Sequence, residues 1–198
     1  MEDRVTNILL VGVGGQGIIL ASEIMADVFM EAGYDVKKSE VHGMAQRGGS
    51  VNTHVRFGPK VFSPLIKEGE AEIFIAFEEL EALRYLNFLS PAPVILLNEQ
   101  RLNPASVSLG SATYPEKIDE ILSPRAKIFR RIRARELALQ AGDARAANLV
   151  LLGALQPLLP IAEGIWTEKI AGRFAAKPRQ INLEAFRLGR SAGIGVGS

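Results

Sequence analysis

The chain has 198 residues, of which 47% are hydrophobic and 23% charged, so we expect one packed domain and exclude wholesale disorder. It contains no cysteine, which excludes disulfides, zinc–thiolate centres and cysteine-ligated iron–sulfur clusters on this chain. The formal net charge of +1 is unevenly divided: residues 1–122 carry 10 basic and 17 acidic side chains, and residues 123–198 carry 13 and 5. Such asymmetry is typical of a charged docking surface or of solvated helix faces, and both interpretations stay open.

The first segment predicts a strand, a tight turn and a helix. Residues 8–11 are apolar and partly β-branched, as in a strand buried within a parallel sheet. Four glycines follow within residues 12–17, and helical spacing then runs from Ile18 to Ala32, where Gly33 ends it. The uncharged stretch over residues 5–22 is long enough for a membrane span, but its glycines favour the strand, turn and helix. Because the acidic start also lacks the basic region of a signal peptide, we expect a cytoplasmic protein that does not enter a membrane.

The next segments alternate between strand and helix patterns. A helix is predicted over Glu78–Leu89, with Pro91 and Pro93 breaking the chain after it. Strands are predicted at Asp35–Val41, Val51–Phe57, Ile73–Phe77 and Val94–Asn98, with a weaker pattern at Lys127–Arg133.

The last third is predicted to be mostly helical. Helices are expected over residues 144–159, 166–176 and 182–191, with Pro178 between the last two. The whole pattern predicts an α/β fold: a Rossmann-like, mostly parallel sheet flanked by helices, in a single domain over residues 1–198. The helical C-terminal region of that domain covers about residues 134–198.

The glycines after the first strand match the pattern Gly-x-Gly-x-x-Gly, and the residues of interest are Gly12, Gly14, Gly15, Gln16 and Gly17. Such a turn lets backbone N–H groups approach a phosphate at the positive end of a helix. A dinucleotide site also requires an acidic residue at the end of the second strand, where Glu40 is the candidate. Two interpretations stay open: a nucleotide or phosphate contact, and a tight turn whose glycines only permit close packing.

A second motif, the Glu40–Ser50 loop, concentrates polar and glycine residues, among them Glu40, His42, Gln46, Arg47, Gly48 and Gly49. Arg47 beside two glycines is suited to holding a carboxylate or phosphate, and His42 to titrating near neutral pH. We interpret this segment as a loop that faces a ligand or a partner. The alternative is an interface loop in which His42 is only hydrogen-bonded. No residue spacing in the loop indicates catalysis or metal binding.

Three other features have structural interpretations. His54 alternates with apolar residues in a predicted strand, so we expect a hydrogen-bonded histidine of the sheet. Asn148 lies on an apolar helix and is expected to bond to neighbouring backbone. Arg125–Arg135 carries six basic residues in eleven, but without aromatic residues at regular intervals or a recognition motif we expect partner docking or surface charge rather than nucleic-acid binding.

The glycine turn and the loop together resemble the gamma-type subunit of 2-oxoacid:ferredoxin oxidoreductases. The matching segments are Val11–Ile18 and Lys38–Val51, and Asn148–Ala154 and Ile181–Gly189 look like later family signatures. The resemblance therefore covers nearly the whole chain. Within the family, the chain looks most like the small subunit of indolepyruvate enzymes.

The resemblance implies that this chain is an accessory subunit and inactive alone. Thiamine diphosphate, Mg²⁺, [4Fe-4S] clusters and coenzyme A would belong to the assembled complex with larger subunits, and ferredoxin would be an indirect partner. The implied reaction is oxidative decarboxylation of a 2-oxoacid, indolepyruvate or pyruvate among others, to an acyl-CoA in anaerobic metabolism. The glycine turn and the loop are then expected to face the entrance for coenzyme A.

Two further alternatives stay open at this point. One is a stand-alone Rossmann enzyme that binds NAD(P) or FAD, and the other is an assembly module without any ligand. Since an interface left without its partner often pairs with itself, we expect a homodimer when the chain is expressed alone.

Overall fold

The computed structural model describes residues 4–42 and 49–194, with only the backbone of His42. Within these ranges the chain forms six strands and eight α-helices. The strands are β1 (Thr6–Val13), β2 (Asp35–His42), β3 (Ser50–Gly58), β4 (Ala71–Ala76), β5 (Leu89–Asn98) and β6 (Ile128–Ile132). The helices are α1 (Ile18–Glu31), α2 (Glu79–Arg84), α3 (Ala105–Ser108), α4 (Ile118–Leu122), α5 (Ala134–Ala141), α6 (Ala147–Leu155), α7 (Glu163–Arg173) and α8 (Ala176–Ile194).

All six strands belong to one sheet with the order β2-β3-β1-β4-β5-β6. β1, β4, β5 and β6 are parallel, whereas β3 runs antiparallel to both β1 and β2. The predicted α/β fold with a mostly parallel sheet is therefore confirmed. The antiparallel β3 is inserted between β1 and β2, which are adjacent in a standard dinucleotide fold.

The two faces of the sheet are covered unequally. One face carries α1 and the C-terminal helices α5 to α8 over the larger apolar core, which includes Phe29, Trp166 and Phe186. The opposite face carries a smaller core around Phe74 and Ile95, covered by α2, α4 and loops. No helix in the described ranges is both long and apolar enough to cross a bilayer.

Helices α6 and α8 pack with their backbones almost in contact. A Cβ atom added to Gly189 would overlap the carbonyl oxygen of Val150 and lie 2.7 Å from its carbonyl carbon. A Cβ atom on Gly153 would overlap the carbonyl oxygen of Phe186 in the same way. Only glycine permits this separation, so the register of α8 on α6 depends on these two residues.

The structure corrects three predicted boundaries. The helix predicted over Glu78–Leu89 ends at Arg84, and a short 3₁₀ turn leads into β5. Pro91 and Pro93 lie inside β5 rather than before it. The pairing of β5 with β4 shifts register beside them, and proline, which cannot donate a backbone hydrogen bond, is tolerated at such an irregularity. Pro178 lies in the first turn of α8, where a helical N–H has no intrahelical acceptor.

Candidate functional site

The glycine turn lies at the carboxyl edge of the sheet, where β1 and β4 end and β3 begins. Gly15 and Gly17 have φ angles of 104° and 77°, a region that side chains rarely adopt, and Gly17 caps α1. The N–H of Gly14 donates to the carbonyl of Gly49 at 2.9 Å. The turn and the end of the Glu40–Ser50 loop are therefore joined directly.

The side chain of Gln16 closes the crevice between the ends of β1 and β4. Its Oε1 accepts the N–H of Val13 at 2.7 Å, and its Nε2 donates to the carbonyl of Phe77 at 2.9 Å and to Gln100 Oε1 at 3.1 Å. Asn98 donates to the same carbonyl at 3.0 Å. In open α/β sheets this crevice is where a dinucleotide binds, and here the side chains of Gln16 and Asn98 both bond to the Phe77 carbonyl beside it.

Two of the glycines are required by packing. A Cβ on Gly12 would lie 2.6 Å from Gln16 Oε1 and 2.8 Å from Phe77 Cβ. A Cβ on Gly17 would lie 2.8 Å from Asn148 Nδ2, which donates to the Gly17 carbonyl at 3.3 Å. Asn148 is 2% exposed, and its bond to backbone agrees with the sequence-based expectation. Packing thus accounts for the first and last glycines without any ligand.

Glu40 does not take the place of the ribose-binding acid in a dinucleotide site. It lies within β2, and its Oε1 is 2.6 Å from Lys38 Nζ. Because β3 separates β2 from β1, Glu40 is displaced from the glycine turn by two strand spacings, about 10 Å. The side chain of His42 and residues Gln46, Arg47 and Gly48 lie outside the described residues, so their predicted roles stay predictions.

A buried acidic cluster follows β4, at the same edge as the glycine turn. Glu78, Glu79 and Glu81 are 1%, 1% and 4% exposed. Glu78 accepts the N–H of Leu102 at 2.9 Å and the hydroxyl of Tyr114 at 2.5 Å. Burial and this bond raise the pKa of Tyr114. The sequence predicts a helix over Glu78–Leu89 but does not reveal that these glutamates are buried.

Glu79 is the acceptor for the basic segment. It pairs with Arg101 at 2.9 Å and with Arg131, which also reaches Asp119 at 2.6 Å and Glu99 at 3.2 Å. The run of six basic residues is therefore partly neutralised by this chain's own carboxylates. That the chain does not bind nucleic acid stays a prediction.

His54 is a buried histidine of the sheet, as its position in the sequence predicts. Its Nδ1 accepts the N–H of Ile66 at 3.0 Å, and Nε2 lies 3.1 Å from Asn52 Oδ1. Burial lowers the pKa of its imidazole, so the neutral form is favoured. Across residues 4–42 and 49–194, no group of three or more histidine or acidic side chains is arranged to hold a metal ion.

The known proteins to which this chain is similar in sequence are oxidoreductases of 2-oxoacids or their subunits. The profile of the pyruvate ferredoxin/flavodoxin oxidoreductase family matches residues 7–192. The chain is 43% identical over 193 residues to indolepyruvate oxidoreductase subunit IorB of Archaeoglobus fulgidus, with 95% of each chain covered. It is 24% identical over 197 residues to 2-oxoglutarate synthase subunit KorC of the same organism, with 96% of this chain and 89% of that one covered.

Solved structures share the fold. The gamma subunit of keto/oxoacid ferredoxin oxidoreductase from Geobacter sulfurreducens has a TM-score of 0.71 at 22% identity, covering 96% of this chain and 98% of that one. The 2-oxoglutarate:ferredoxin oxidoreductase of Magnetococcus marinus, with 2-oxoglutarate, coenzyme A and succinyl-CoA bound, has a TM-score of 0.77 at 22% identity. It covers 99% of this chain, which corresponds to 32% of that longer chain.

Proposed function

Because the chain belongs to the pyruvate ferredoxin/flavodoxin oxidoreductase family, we propose that it is the small subunit of an indolepyruvate:ferredoxin oxidoreductase. The observation that carries this proposal is the identity of 43% to an IorB subunit, against 24% to the KorC subunit of the same organism, over nearly the full length of both. The assembled enzyme would oxidise and decarboxylate a 2-oxoacid, transfer the acyl group to coenzyme A and pass the electrons to ferredoxin.

The residues of this chain do not fit the redox cofactors of such an enzyme. A cysteine-ligated [4Fe-4S] cluster needs thiolates, and the sequence has none. Thiamine diphosphate is held through Mg²⁺, and the described residues contain no group of three or more histidine or acidic side chains that could bind this ion. We assign thiamine diphosphate, Mg²⁺ and [4Fe-4S] to a larger partner subunit, and the complex to the cytoplasm.

The contribution of this chain is then to ligand binding at the subunit boundary. The N–H groups of Gly15 and Gly17 donate to no acceptor within the described ranges, and both lie at the N-terminus of α1. Such groups favour an anion. With Gly49 bonded to Gly14, the Glu40–Ser50 loop adjoins the same place. The turn and the loop, with Arg47, would hold a carboxylate or a phosphate of coenzyme A as it enters.

Arg47→Ala should raise the apparent KM for coenzyme A or for the 2-oxoacid in the assembled enzyme, because a guanidinium pairs with either anion. We expect an increase of about tenfold, corresponding to a charge-assisted bond of roughly 1.4 kcal/mol. Steady-state kinetics with each substrate varied in turn measures it. If neither KM changes, the loop does not bind a ligand, and an assembly role for this chain takes its place.

The proposed function is tested by affinity purification of the tagged chain from its anaerobically grown host. We expect a larger subunit containing iron and thiamine diphosphate to accompany it, with ferredoxin reduction faster on indolepyruvate than on pyruvate or 2-oxoglutarate. Recovery of the chain alone, stabilised by NAD or FAD, would overturn the proposal in favour of a free dinucleotide enzyme.

When expressed without its partner, the chain should form a homodimer, since the surface that meets the larger subunit is then uncovered. Light scattering coupled to size-exclusion chromatography measures the mass. We expect twice the 21.5 kDa of the monomer, and we expect this homodimer to be replaced by a complex with the larger subunit when that subunit is added. A monomer at all concentrations would contradict this expectation.

A further inference from the structure

A chain of hydrogen bonds crosses the less covered face of the sheet, starting beside the candidate loop. Ser50 Oγ donates to Glu81 Oε2 at 2.5 Å and lies 3.0 Å from the hydroxyl of Tyr85. Asn52 Nδ2 donates to the same Tyr85 hydroxyl at 2.9 Å. Three elements, β3, α2 and the turn after α2, are thereby connected through side chains alone.

This chain of hydrogen bonds continues along β3 into the core. Asn52 Oδ1 lies 3.1 Å from His54 Nε2, and His54 Nδ1 accepts the N–H of Ile66 at 3.0 Å. Ile66 is 3% exposed and belongs to the core under this face. One end of the hydrogen-bond chain is thus the buried backbone N–H of Ile66, and the other is the carboxylate of Glu81.

The donor and the acceptor of each hydrogen bond in this network follow from its two ends, His54 Nδ1 and Glu81. Because His54 Nδ1 accepts, its proton is on Nε2, which donates to Asn52. The amide of Asn52 donates to the Tyr85 hydroxyl, and Ser50 donates its one hydroxyl proton to Glu81. The bond between Tyr85 and Ser50 is therefore donated by Tyr85. Each donor has one acceptor, and the sequence of bonds has only one consistent order.

Glu81 is the terminal acceptor on which this order depends. It is 4% exposed, and burial raises the pKa of its carboxyl, as does the neighbouring Glu78, while Ser50 and Arg84 lower it. A buried polar chain costs desolvation that apolar side chains would not. The gain is rigidity, because a fully satisfied network fixes the position of each member.

Ser50 is the member of this network that adjoins the glycine turn. It is the last residue of the Glu40–Ser50 loop and pairs with Val13 of β1. Its preceding residue, Gly49, accepts the N–H of Gly14 in the glycine turn. The position of Ser50 therefore sets how the loop meets the turn.

We propose that Glu81, Tyr85, Asn52 and His54 are positioning residues for the ligand site, which they serve by holding Ser50 and thus the junction of the loop with the glycine turn. This inference rests on the proposed function, since it supposes that a ligand binds at the glycine turn, beside Gly49 and Ser50. None of the four touches the ligand itself.

The test compares two tyrosines in the assembled enzyme. Tyr85→Phe removes a hydroxyl that contacts Asn52 and Ser50, whereas Tyr114→Phe removes one that contacts Glu78 and the N–H of Leu80. Both are half-buried, both hydroxyls make two hydrogen bonds, and both lie on the same face of the sheet. Tyr114 makes no direct hydrogen bond to any member of the network that holds Ser50, and its one link to Glu81 passes through Glu78 and the Glu81 backbone N–H, so it is the matched control.

We expect Tyr85→Phe to raise the apparent KM for coenzyme A or the 2-oxoacid about tenfold and to change kcat by less than about twofold. A binding interaction that is equal in the ground state and the transition state affects KM and not kcat. Amide hydrogen exchange of residues 49–52 should also become faster in this variant. Tyr114→Phe should lower thermal stability to a similar degree and change neither quantity. Glu81→Gln, which keeps an oxygen for Ser50, should retain the KM that Glu81→Leu loses.

The outcomes separate this inference from the proposed function. If Arg47→Ala raises KM while Tyr85→Phe raises neither KM nor exchange at residues 49–52, the positioning role is overturned and the ligand site stands. If Tyr85→Phe and Tyr114→Phe change KM equally, the effect is general stability and the inference also fails. If Arg47→Ala has no effect, the ligand site and the inference fail together.

Discussion

Gly189→Ala is expected to destabilise the protein by about 3 kcal/mol, the upper part of the usual range for overpacking, because the added methyl group has no free space. Its Cβ would overlap the carbonyl oxygen of Val150 and lie 2.7 Å from the Val150 Cα. Both are backbone atoms of α6, so no side chain can turn aside, and the two helices would have to separate. The loss is a large fraction of the roughly 5–15 kcal/mol that stabilises a typical domain. Denaturant unfolding of the isolated chain measures it.

Gly172 provides the control for this prediction. It lies in α7 with nothing within 4 Å of an added Cβ, so Gly172→Ala should stabilise by about 0.5–1 kcal/mol through helix propensity. Equal effects of the two alanines would show that α6 and α8 are not closely packed. Because Asn148 of α6 bonds to Gly17, separation of these helices should also disturb the glycine turn.

Glu78→Ala is the second substitution with a large expected effect. Glu78 is 1% exposed and accepts three bonds, from the N–H groups of Glu81 and Leu102 and from the Tyr114 hydroxyl. Bonds to a charged acceptor contribute about 1.5–3 kcal/mol each, and removing the carboxylate leaves these donors without it. Since water can reach part of the half-buried Tyr114, we expect a total loss of about 3–4 kcal/mol.

The control for Glu78 is Glu120, whose side chain is 68% exposed and lies 3.4 Å from Lys117. Glu120→Ala should change the free energy of unfolding by less than about 1 kcal/mol, as exposed ion pairs do. Glu78→Gln should fall between the two, because its NH₂ group cannot accept the bonds that a carboxylate oxygen accepts. Urea unfolding measures the loss of unfolding free energy in each variant. If the loss for Glu78→Ala is no larger than that for Glu120→Ala, the buried carboxylate does not hold the 101–114 segment to the sheet.

The local pattern of the sequence was sufficient to predict most elements. A buried strand appears as an apolar run and a helix as a 3.6-residue period. Each of the six strands overlaps a predicted one, although β5 begins at Leu89 and not at the predicted Val94. The glycine turn after β1 was predicted for the same reason, since left-handed backbone at Gly15 and Gly17 restricts the residue type directly. The family was also apparent from local motifs, and the comparisons confirm it.

Only the tertiary structure decided which elements are neighbours. The antiparallel insertion of β3 between β1 and β2 displaces Glu40 from the turn, and no local pattern encodes the order of strands in a sheet. The same is true of Gln16, whose partners Phe77 and Gln100 lie more than 60 residues away. Glu78 and Glu81 look like surface acids in sequence because burial depends on what packs over them. Sequence determines local conformation and composition, whereas the chemistry of this site depends on contacts between distant segments, which form only when the sheet is assembled.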